Sequence, residues 1–257
     1  MSDQGRFAGQ VAIVTGGAGG IGRAVAQRLV ADGARVALVD LAGTQLDNVA
    51  QALGGEVLPI EADVGQEEDV GEYVRQTVER FGRVDLLFNN AGVEGRVANI
   101  VDADIADFDR LMAINVRGVF LGLREVLRVL QRQGTGGAIV NTASIAGLRG
   151  GVGVAPYIAS KHAVIGLTKT AALEGAAFGV RVNAVAPGYI DTRMIQALIV
   201  ARTPDNPKAG REAMEGRVPL KRFGKPDEVA NLVTWLLSVE ASYITGSVNL
   251  VEAGLMA

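Results

Sequence analysis

Cysteine is absent from the sequence, and the chain has a single histidine, His162. Without thiols there is no disulfide framework and no thiolate metal site, and one imidazole cannot build a zinc or iron centre by itself. Aromatic residues make up only 5% of the chain, and the net charge of -3 includes no basic block. Little is therefore left for base stacking or phosphate-backbone binding. We expect no metal and no nucleic-acid partner.

Long apolar runs are also missing. No run reaches the roughly 20 residues that a membrane-spanning helix needs, and the polar start MSDQGRFAGQ lacks the apolar core of a signal peptide. We therefore expect a cytoplasmic protein with no membrane partner. The hydrophobic content of 49% over 257 residues is enough for a substantial core. Because no repeat or low-complexity linker interrupts the chain, the sequence predicts one domain over residues 1–257.

The first forty residues carry a strand, a glycine-rich turn, a helix and a second strand. VAIVT (11–15) is an apolar, β-branched run typical of a buried parallel strand. It leads into GGAGGIG (16–22), then a helical pattern ending at Gly33 and the strand ARVALVD (34–40). Glycines let the backbone approach a pyrophosphate, and a helix N-terminus offers free N–H groups. These features predict dinucleotide binding; a turn that only packs a helix on a sheet is the alternative.

Asp40 closes the second strand and indicates which dinucleotide binds. A carboxylate there can accept hydrogen bonds from the adenosine ribose diol and would repel a 2′-phosphate. Neither Gly17 nor Leu41 supplies the arginine or lysine that an NADP site favours. The sequence therefore predicts NAD, with a helix cap or turn role for Asp40 as the alternative. Asp63 and Val64, after the third strand EVLPIEADV, can offer a carboxylate and an N–H to a flat polar ring.

The alternation of strands and helices continues to the C-terminus. Further strands are predicted in VDLLFNNAG, GGAIVNTAS, VRVNAVAPG and GSVNLVEAG, with helices over about 104–133 and 157–178 among those between them. The pattern predicts an α/β Rossmann-type doubly wound domain, a parallel seven-stranded sheet with helices on both faces. Asn89 and Asn90 would either tie strand ends together or contact the cofactor. Asn115 lies in an apolar helix and needs a partner, because an unsatisfied amide costs on the order of 1–3 kcal/mol.

Tyr157 and Lys161 stand four residues apart after Pro156, on one face of a predicted helix. A positive charge at roughly 4 Å contributes about 4 kcal/mol at an effective dielectric near 20. This predicts a lowered pKa for Tyr157 and proton exchange near neutral pH. Ser144, at the end of the fifth strand, is placed to hydrogen-bond the oxygen that takes the proton. Taken alone, such a pair is more often a solvated helix face.

Together these residues resemble the signature of the short-chain dehydrogenase/reductase family over essentially the whole chain. The matching positions are Thr15, Gly16, Gly20, Gly22, Asp63, Val64, Asn89, Asn90, Ala91, Gly92, Asn115, Ser144, Tyr157, Lys161, Pro187 and Gly188. The resemblance implies an NAD-dependent oxidoreductase that interconverts a secondary alcohol and a ketone. Tyr157 would donate or accept the proton, and Lys161 would lower its pKa and hold the nicotinamide ribose. Ser144 would bind the substrate oxygen, and Asn115 would hold a water linking Lys161 to solvent.

The residues expected to contact NAD are Gly16, Ala18, Gly19, Gly20, Ile21, Gly22, Asp40, Leu41, Asp63, Val64, Asn89, Ala91, Gly92, Tyr157, Lys161, Pro187, Gly188, Ile190 and Thr192. The resemblance also implies a homotetramer built from the helices that carry Asn115 and Tyr157. Two departures from the family pattern are small. Gly65 is the expected helix cap where the family often has serine or threonine, and residues 251–254 lack the usual aspartate and glycine pair.

Three segments are expected to select a small-molecule substrate: residues 93–96, residues 145–154 and a mobile lid over about 189–223. The candidate pocket residues are Glu94, Ile145, Val152, Tyr189 and Met194. With Leu148 they favour a largely hydrophobic ketone or secondary alcohol. Arg149 and Glu94 would meet a polar group or face water, and water is the preferred interpretation. NNAGVEG, RGVFLGLREVL and VNTASIAGLRG are most similar to NAD-dependent reductases of cyclic ketones, the levodione reductase type.

Other functions stay open as alternatives. A 3-oxoacyl-carrier-protein reductase would share the same residues, but it usually uses NADPH, which Asp40 disfavours. A catalytically silent NAD-binding sensor would need only the glycine turn and Asp40, and a methyltransferase would have no use for Tyr157 and Lys161. His162 is turned about 100° around the helix from Lys161, so a surface or interface position is expected.

Overall fold

The computed structural model describes residues 5–257 and contains a seven-stranded sheet in the order β3-β2-β1-β4-β5-β6-β7. All neighbouring strands are parallel. The strands are β1 (Val11–Thr15), β2 (Arg35–Asp40), β3 (Val57–Glu61), β4 (Leu86–Asn89), β5 (Gly137–Thr142), β6 (Val180–Pro187) and β7 (Val248–Val251). The chain order reverses between β1 and β4, and a crevice forms at the carboxyl ends of strands that diverge in this way. The predicted fold class is confirmed.

Helices connect these strands. They are α1 (Gly20–Ala31), α2 (Leu46–Leu53), α3 (Glu67–Phe81), α4 (Ile105–Met112), α5 (Gly118–Gln133), α6 (Ala155–Gly175), α7 (Arg193–Arg202), α8 (Pro207–Arg217) and α9 (Pro226–Leu237). Short 3-10 turns cover Ile100–Asp102, Ile145–Gly147, Ala176–Phe178 and Val239–Ala241. Within residues 5–257, no helix combines the length and apolarity needed to cross a membrane.

Two hydrophobic clusters cover opposite faces of the sheet. Ile13 belongs to the cluster that contains residues of α3, α5 and α6. Its neighbours Ala12 and Val14 belong to the cluster that contains residues of α1, α2 and α9. Successive side chains of a strand point to opposite faces, so a strand buried on both sides must be apolar at every position. This is why β1 is a continuous apolar run.

Three features differ from the sequence expectations. The helix expected over 104–133 is interrupted by a π-helical turn, Ala113–Arg117, between α4 and α5. α3 is capped by Gln66 and not by Gly65, whose N–H instead donates to Asp63 Oδ1 at 2.9 Å. The helical pattern also leaves α9 unpredicted.

The segment expected to be a lid, about 189–223, is mostly helical. It contains α7 and α8, and it has a small apolar core formed by Ile195, Ile199, Met214 and Phe223. The ring of Tyr189 packs edge-on against Phe223, with 5.9 Å between the ring centroids. The segment therefore packs as a unit of its own above the sheet edge.

Candidate active site

A cavity of about 1250 Å³ lies along the carboxyl edge of the sheet. Its lining comes from the segments that follow β1 to β6, from the first turns of α6 and from α7. One end lies at the glycine turn after β1, and the other lies between the β5–α6 loop and the lid helices. The strand ends of the sheet therefore form the floor of the cavity, and the β5–α6 loop with α7 and α8 forms its mouth.

The glycine turn forms a cradle at the first end. Gly16 and Gly20 have φ angles of 65° and 52°, in the left-handed region that favours glycine. A Cβ on Gly22 would stand 2.0 Å from the Gly16 carbonyl oxygen, whereas a Cβ on Gly19 would have no atom within 4 Å. The first turn of α1 has no side-chain cap. Free N–H groups beside open space are what a pyrophosphate needs.

Asp40 is fixed at the edge of the same cradle. Its Oδ2 accepts from the Ala18 N–H at 2.8 Å, and its Oδ1 accepts from the Leu41 N–H at 2.8 Å. Within residues 5–64, no arginine or lysine lines the cavity. Gly17 offers no room for one, because a Cβ there would stand 2.4 Å from Leu38. The residues present therefore fit NAD, whose ribose hydroxyls would face this carboxylate.

Most of the expected cofactor residues line the cavity, and two do not. Those in the lining are Gly16, Ala18, Gly19, Gly20, Ile21, Asp40, Leu41, Asp63, Val64, Ala91, Gly92, Tyr157, Lys161, Pro187, Gly188, Ile190 and Thr192. Asn89 is buried against α5 and donates to the Val119 carbonyl at 3.0 Å. Gly22 faces the Gly16 carbonyl. These two residues pack the elements together behind the cavity wall, and their contact with the cofactor stays a prediction.

Asn90, the next residue after Asn89, does line the cavity and ties three strand ends together. Its Nδ2 donates to the Thr15 carbonyl at 3.0 Å, and its main-chain N–H donates to Thr15 Oγ1 at 2.9 Å. Its Oδ1 accepts from Thr142 Oγ1 at 3.1 Å. Thr142 is a site residue that the sequence reasoning missed. Its only signal was its place two residues before Ser144 on a strand that reaches the cavity.

Ser144, Tyr157 and Lys161 converge on the middle of the cavity. The Ser144 hydroxyl donates to the Pro187 carbonyl at 3.5 Å and accepts from the Ala146 N–H at 3.1 Å. Lys161 Nζ donates to the Thr142 carbonyl at 2.8 Å and lies 5.6 Å from the centroid of the Tyr157 ring. The spacing of four residues does place both side chains on one face of α6, as predicted.

The protonation of this pair differs from the sequence expectation. Burial raises the pKa of Tyr157 to about 12, even though the nearby Ser144 hydroxyl acts to lower it. Glu94 adds a smaller upward contribution. Burial lowers the pKa of Lys161 to about 8. The Lys161 ammonium donates to the Thr142 carbonyl and does not hydrogen-bond the Tyr157 hydroxyl. With its pKa raised by burial, Tyr157 is therefore protonated at neutral pH in this chain.

Asn115 lies in the π-helical turn and is almost fully buried. Its Oδ1 accepts from the Val93 N–H at 2.8 Å, and its Nδ2 donates to the Val93 carbonyl at 2.9 Å and to Ser160 Oγ at 3.2 Å. Ser160 in turn donates to the Tyr157 carbonyl at 2.8 Å. The amide that the sequence marked as needing a partner thus joins the loop after β4 to α6. It does not line the cavity.

Gly92 has no side chain, and both Asn115 and Lys161 lie against the space that a side chain there would fill. A Cβ on Gly92 would stand 3.1 Å from Asn115 Oδ1 and 3.7 Å from Lys161 Nζ. A larger residue would fill the space between them. A π-helical turn often marks a functional position, because it rotates one residue out of the helical repeat. The water-holding role of Asn115 stays a prediction.

All five expected pocket residues line the other end of the cavity: Glu94, Ile145, Val152, Tyr189 and Met194. Met194 is the closest to the chemistry, because its sulfur lies 3.9 Å from the Tyr157 hydroxyl. Leu148 does not line the cavity, whereas Arg149 does. Arg193, Arg202 and Arg217 also line it and were not foreseen. His162 is exposed, and its Nδ1 lies 2.9 Å from the Ile158 carbonyl of the preceding helical turn.

The sequence is similar to known proteins over nearly its whole length. The family profile described as enoyl-(acyl carrier protein) reductase matches residues 16–256. The chain belongs to the short-chain dehydrogenase/reductase family. The predicted family and the predicted enzyme class, an oxidoreductase of alcohol and ketone groups, are thereby confirmed.

Several characterised members of the family are similar over nearly their whole length. Levodione reductase of Leifsonia aquatica is 43% identical over 97% of this chain and 95% of its own. The 2,5-dichloro-2,5-cyclohexadiene-1,4-diol dehydrogenase of Sphingobium indicum is 40% identical over 100% of both chains. The 3-oxoacyl-(acyl-carrier-protein) reductase of Thermotoga maritima is 40% identical over 98% of this chain and 99% of its own.

Solved structures agree closely in fold. The crystal structure of levodione reductase superposes with a TM-score of 0.94 at 43% identity, covering 97% of this chain and 98% of that chain. The crystal structure of NAD+-bound xylitol dehydrogenase has a TM-score of 0.93 at 37% identity, covering 97% and 100%.

Proposed function

We propose that this protein is an NAD-dependent oxidoreductase that interconverts a secondary alcohol and a ketone, with Tyr157 as the general acid and base. The observation that carries the proposal is the shared cavity. Ser144, Tyr157 and Lys161 line the same space as the glycine cradle and Asp40. A carbonyl at the phenol would therefore lie beside a dinucleotide seated on the cradle.

The cofactor residues divide into three groups. The glycine cradle and the N-terminus of α1 would hold the pyrophosphate, and Asp40 would hold the adenosine ribose. Lys161, Ile190 and Thr192 would hold the nicotinamide half. When bound, NAD supplies or accepts the hydride. The preference for NAD over NADP rests on Asp40, whose two oxygens are already oriented by main-chain N–H groups, and the NAD+-bound neighbour is consistent with it.

The proton steps fall to residues of this chain. The Tyr157 phenol, protonated at neutral pH, donates its proton to the substrate oxygen in ketone reduction. Ser144 binds that same oxygen and places it within reach of the phenol. In alcohol oxidation the phenol must first lose its own proton before it can accept the proton of the substrate hydroxyl. Lys161 and Asn115 form the route by which the phenol would be reprotonated.

The substrate proposal is a largely apolar, cyclic ketone or alcohol. Ile145, Val152, Tyr189 and Met194 give the mouth of the cavity apolar walls. Two similar proteins are named for ring substrates, levodione and a chlorinated cyclohexadienediol. The segment over about 189–223 would act as the lid that excludes water during turnover.

Assembly and location belong to the same proposal. Ile105, Phe108 and Phe120 on α4 and α5, and Leu173 on α6, are exposed apolar residues. Their positions on the helices that carry or adjoin Asn115 and Tyr157 support a homotetramer built from these helices. A cytoplasmic location stays a prediction.

The alternative within the family is 3-oxoacyl-carrier-protein reduction, since one similar protein carries that name. Asp40 argues against this alternative, because its carboxylate would repel the 2′-phosphate of NADPH. The alternative to an enzyme is a catalytically silent sensor that only binds NAD. It would have no need for a buried lysine beside a half-buried phenol.

The decisive experiment follows the absorbance of the reduced nicotinamide with NADH or NADPH and a panel of ketones. The panel is cyclohexanone, levodione and a short 3-oxoacyl thioester. We expect turnover of the cyclic ketones with NADH. Turnover of the thioester with NADPH would favour the alternative enzyme, and NADH binding without any turnover would favour the sensor.

A further inference from the structure

Charge is distributed unevenly along the cavity. At the cofactor end the charged lining residues are Asp40 and Asp63. Four arginines also line the cavity: Arg149, Arg202 and Arg217 come with Glu94 from the segments around the substrate end, and Arg193 follows Thr192, whose side chain lies beside Gly20 of the cradle. A lining with several cations and one carboxylate attracts anions to that end, and low-dielectric walls focus the field.

The four arginines have no carboxylate partner within residues 5–257, although carboxylates are available nearby. In the same lid segment Arg211 pairs with Asp191 at 2.8 Å, and Arg222 pairs with Glu228 at 2.7 Å. Arg211 and Arg222 thus form ion pairs that hold the lid segment together, whereas the arginines that line the cavity have no ion-pair partner in the described part of the chain. Guanidinium groups that line the same cavity without an internal carboxylate are suited to an external carboxylate or phosphate.

Arg202 is the arginine whose side chain is held at the mouth. It lies at the end of α7, and its Nη2 donates to the Val152 carbonyl at 3.3 Å. Val152 belongs to the β5–α6 loop, three residues after Arg149. This hydrogen bond links the end of α7 to the loop that precedes Tyr157. It uses one N–H, which leaves the other donors of the fork available.

Glu94 sets the direction in which a charged substrate would enter. Glu94 follows Val93, which Asn115 ties to Ser160 on α6, and its carboxylate acts to raise the pKa of the Tyr157 phenol on the same helix. An anionic group would be repelled there and attracted to the arginines at the mouth. The uncharged carbonyl end is the one that such a substrate would present to Ser144 and Tyr157.

We propose that the substrate carries an anionic group, a carboxylate or a phosphate, on the end remote from the reacting carbon. Arg202 and Arg149 bind that group at the mouth. This inference rests on the proposed function and narrows it, from an apolar cyclic ketone to one with an apolar body and a charged tail. It assigns Arg202 and Arg149 to substrate selection and leaves the chemistry with Tyr157.

The test uses ketones that differ only in charge. NADH-dependent reduction of 4-oxocyclohexane-1-carboxylate is compared with that of the neutral 4-oxocyclohexane-1-carboxamide. The phosphate ester of 4-hydroxycyclohexanone is the third probe and decides which anion fits better. We expect kcat/KM to favour an anionic ketone over the carboxamide by at least about tenfold, since a hydrogen-bonded charge pair has that strength. Added salt should reduce this preference.

Two variants and a matched control locate the effect. Arg202→Met and Arg149→Met should each remove most of the preference, because kcat/KM for the anionic ketones should fall toward the value for the carboxamide. Arg132→Met is the control, because Arg132 is exposed at the end of α5, is unpaired within the described chain and lies outside the cavity. It should leave the preference unchanged. A wild-type preference near one, or equal behaviour of Arg202→Met and Arg132→Met, would overturn the inference.

Failure of this inference can be told apart from failure of the proposed function. If the carboxamide and cyclohexanone are reduced as well as the anionic ketones, the oxidoreductase stands and the inference is wrong. If no ketone is reduced, calorimetric titration of the carboxylate and the carboxamide into the NADH-loaded protein decides, and equal affinities overturn the inference. If Arg202→Met and Arg149→Met lose NADH affinity and keep the preference, these arginines serve the cofactor and the inference is again wrong.

Discussion

The two ends of the cavity are built from different materials. At the cofactor end, main-chain N–H groups, glycines and a carboxylate held by two N–H groups come directly from the ends of β1 and β2. At the substrate end, arginines and apolar side chains come from a loop and two helices outside the sheet. The first end is fixed by sheet register, and the second depends on how α7 and α8 pack.

This difference separates what each end can do. A rigid acidic cradle recognises one invariant ligand, whose ribose and pyrophosphate have the same shape in every turnover. A mouth of long, exposed side chains on a separate small core can be changed without disturbing the sheet. We therefore expect substitutions at the cofactor end to affect cofactor binding or folding, and those at the mouth to affect substrate choice.

The largest effect is expected at Tyr157, between the two ends. Tyr157→Phe removes the proton donor and leaves the ring, so turnover should fall by about 10²- to 10⁴-fold. NADH affinity, measured by fluorescence titration, should stay within about twofold. Tyr243→Phe is the control, because Tyr243 is fully exposed. Turnover near that of the wild type would contradict the role of Tyr157.

The next effect tests whether the cofactor end is selective by charge. Replacing Asp40 by alanine and Leu41 by arginine removes the repulsion and adds a cation for the 2′-phosphate. The ratio of kcat/KM for NADPH to that for NADH should rise by about 10- to 100-fold, the range of a charge-assisted hydrogen bond. The preference between charged and neutral ketones should not change. An unchanged cofactor ratio would show that Asp40 does not select the cofactor.

The cofactor end of the cavity and its catalytic side chains could be predicted from the sequence better than the substrate end. Asp40, Ser144, Tyr157 and Lys161 were found because strand ends meet at one edge and helical spacing of four defines one face. Asn90 lines the cavity and Asn89 does not, since a strand end alone does not say which of two adjacent amides faces it. The π-helical turn at Asn115 and the pKa of Tyr157 depend on tertiary contacts, Val93 and burial respectively.

The mouth was harder to foresee. Arg202 and Arg217 lie at helix ends in a segment read as a mobile lid, and nothing in their spacing indicates that they share a cavity. Their approach depends on the packing of Ile199, Met214 and Phe223. Local patterns describe the elements of such a segment and not the angle at which they meet.

A pair of glycine variants separates folding from binding within the cradle. Gly22→Ala should destabilise the fold by about 1–3 kcal/mol, because its Cβ would overlap the Gly16 carbonyl, 2.0 Å away. Gly19→Ala should leave stability within about 0.5 kcal/mol, since Gly19 is in extended backbone with open space around its Cβ. Its methyl group would occupy the pyrophosphate space, so NADH affinity should fall. Chemical denaturation and NADH titration measure the two effects, and unchanged NADH affinity in Gly19→Ala would place the pyrophosphate elsewhere.

The smallest effect concerns Lys161, whose burial lowers its pKa to about 8 from the ordinary value of 10.5. Between these two values the unfolded chain binds more protons than the folded chain, so this residue makes the free energy of unfolding rise with pH. From about pH 7 to about pH 9 the gain should be about 1 kcal/mol. Lys161→Met should lack it, so the stability difference between wild type and variant, measured by denaturation at both pH values, isolates the contribution. A difference that stays constant or has the opposite sign would mean that the Thr142 carbonyl stabilises the ammonium enough to offset its burial.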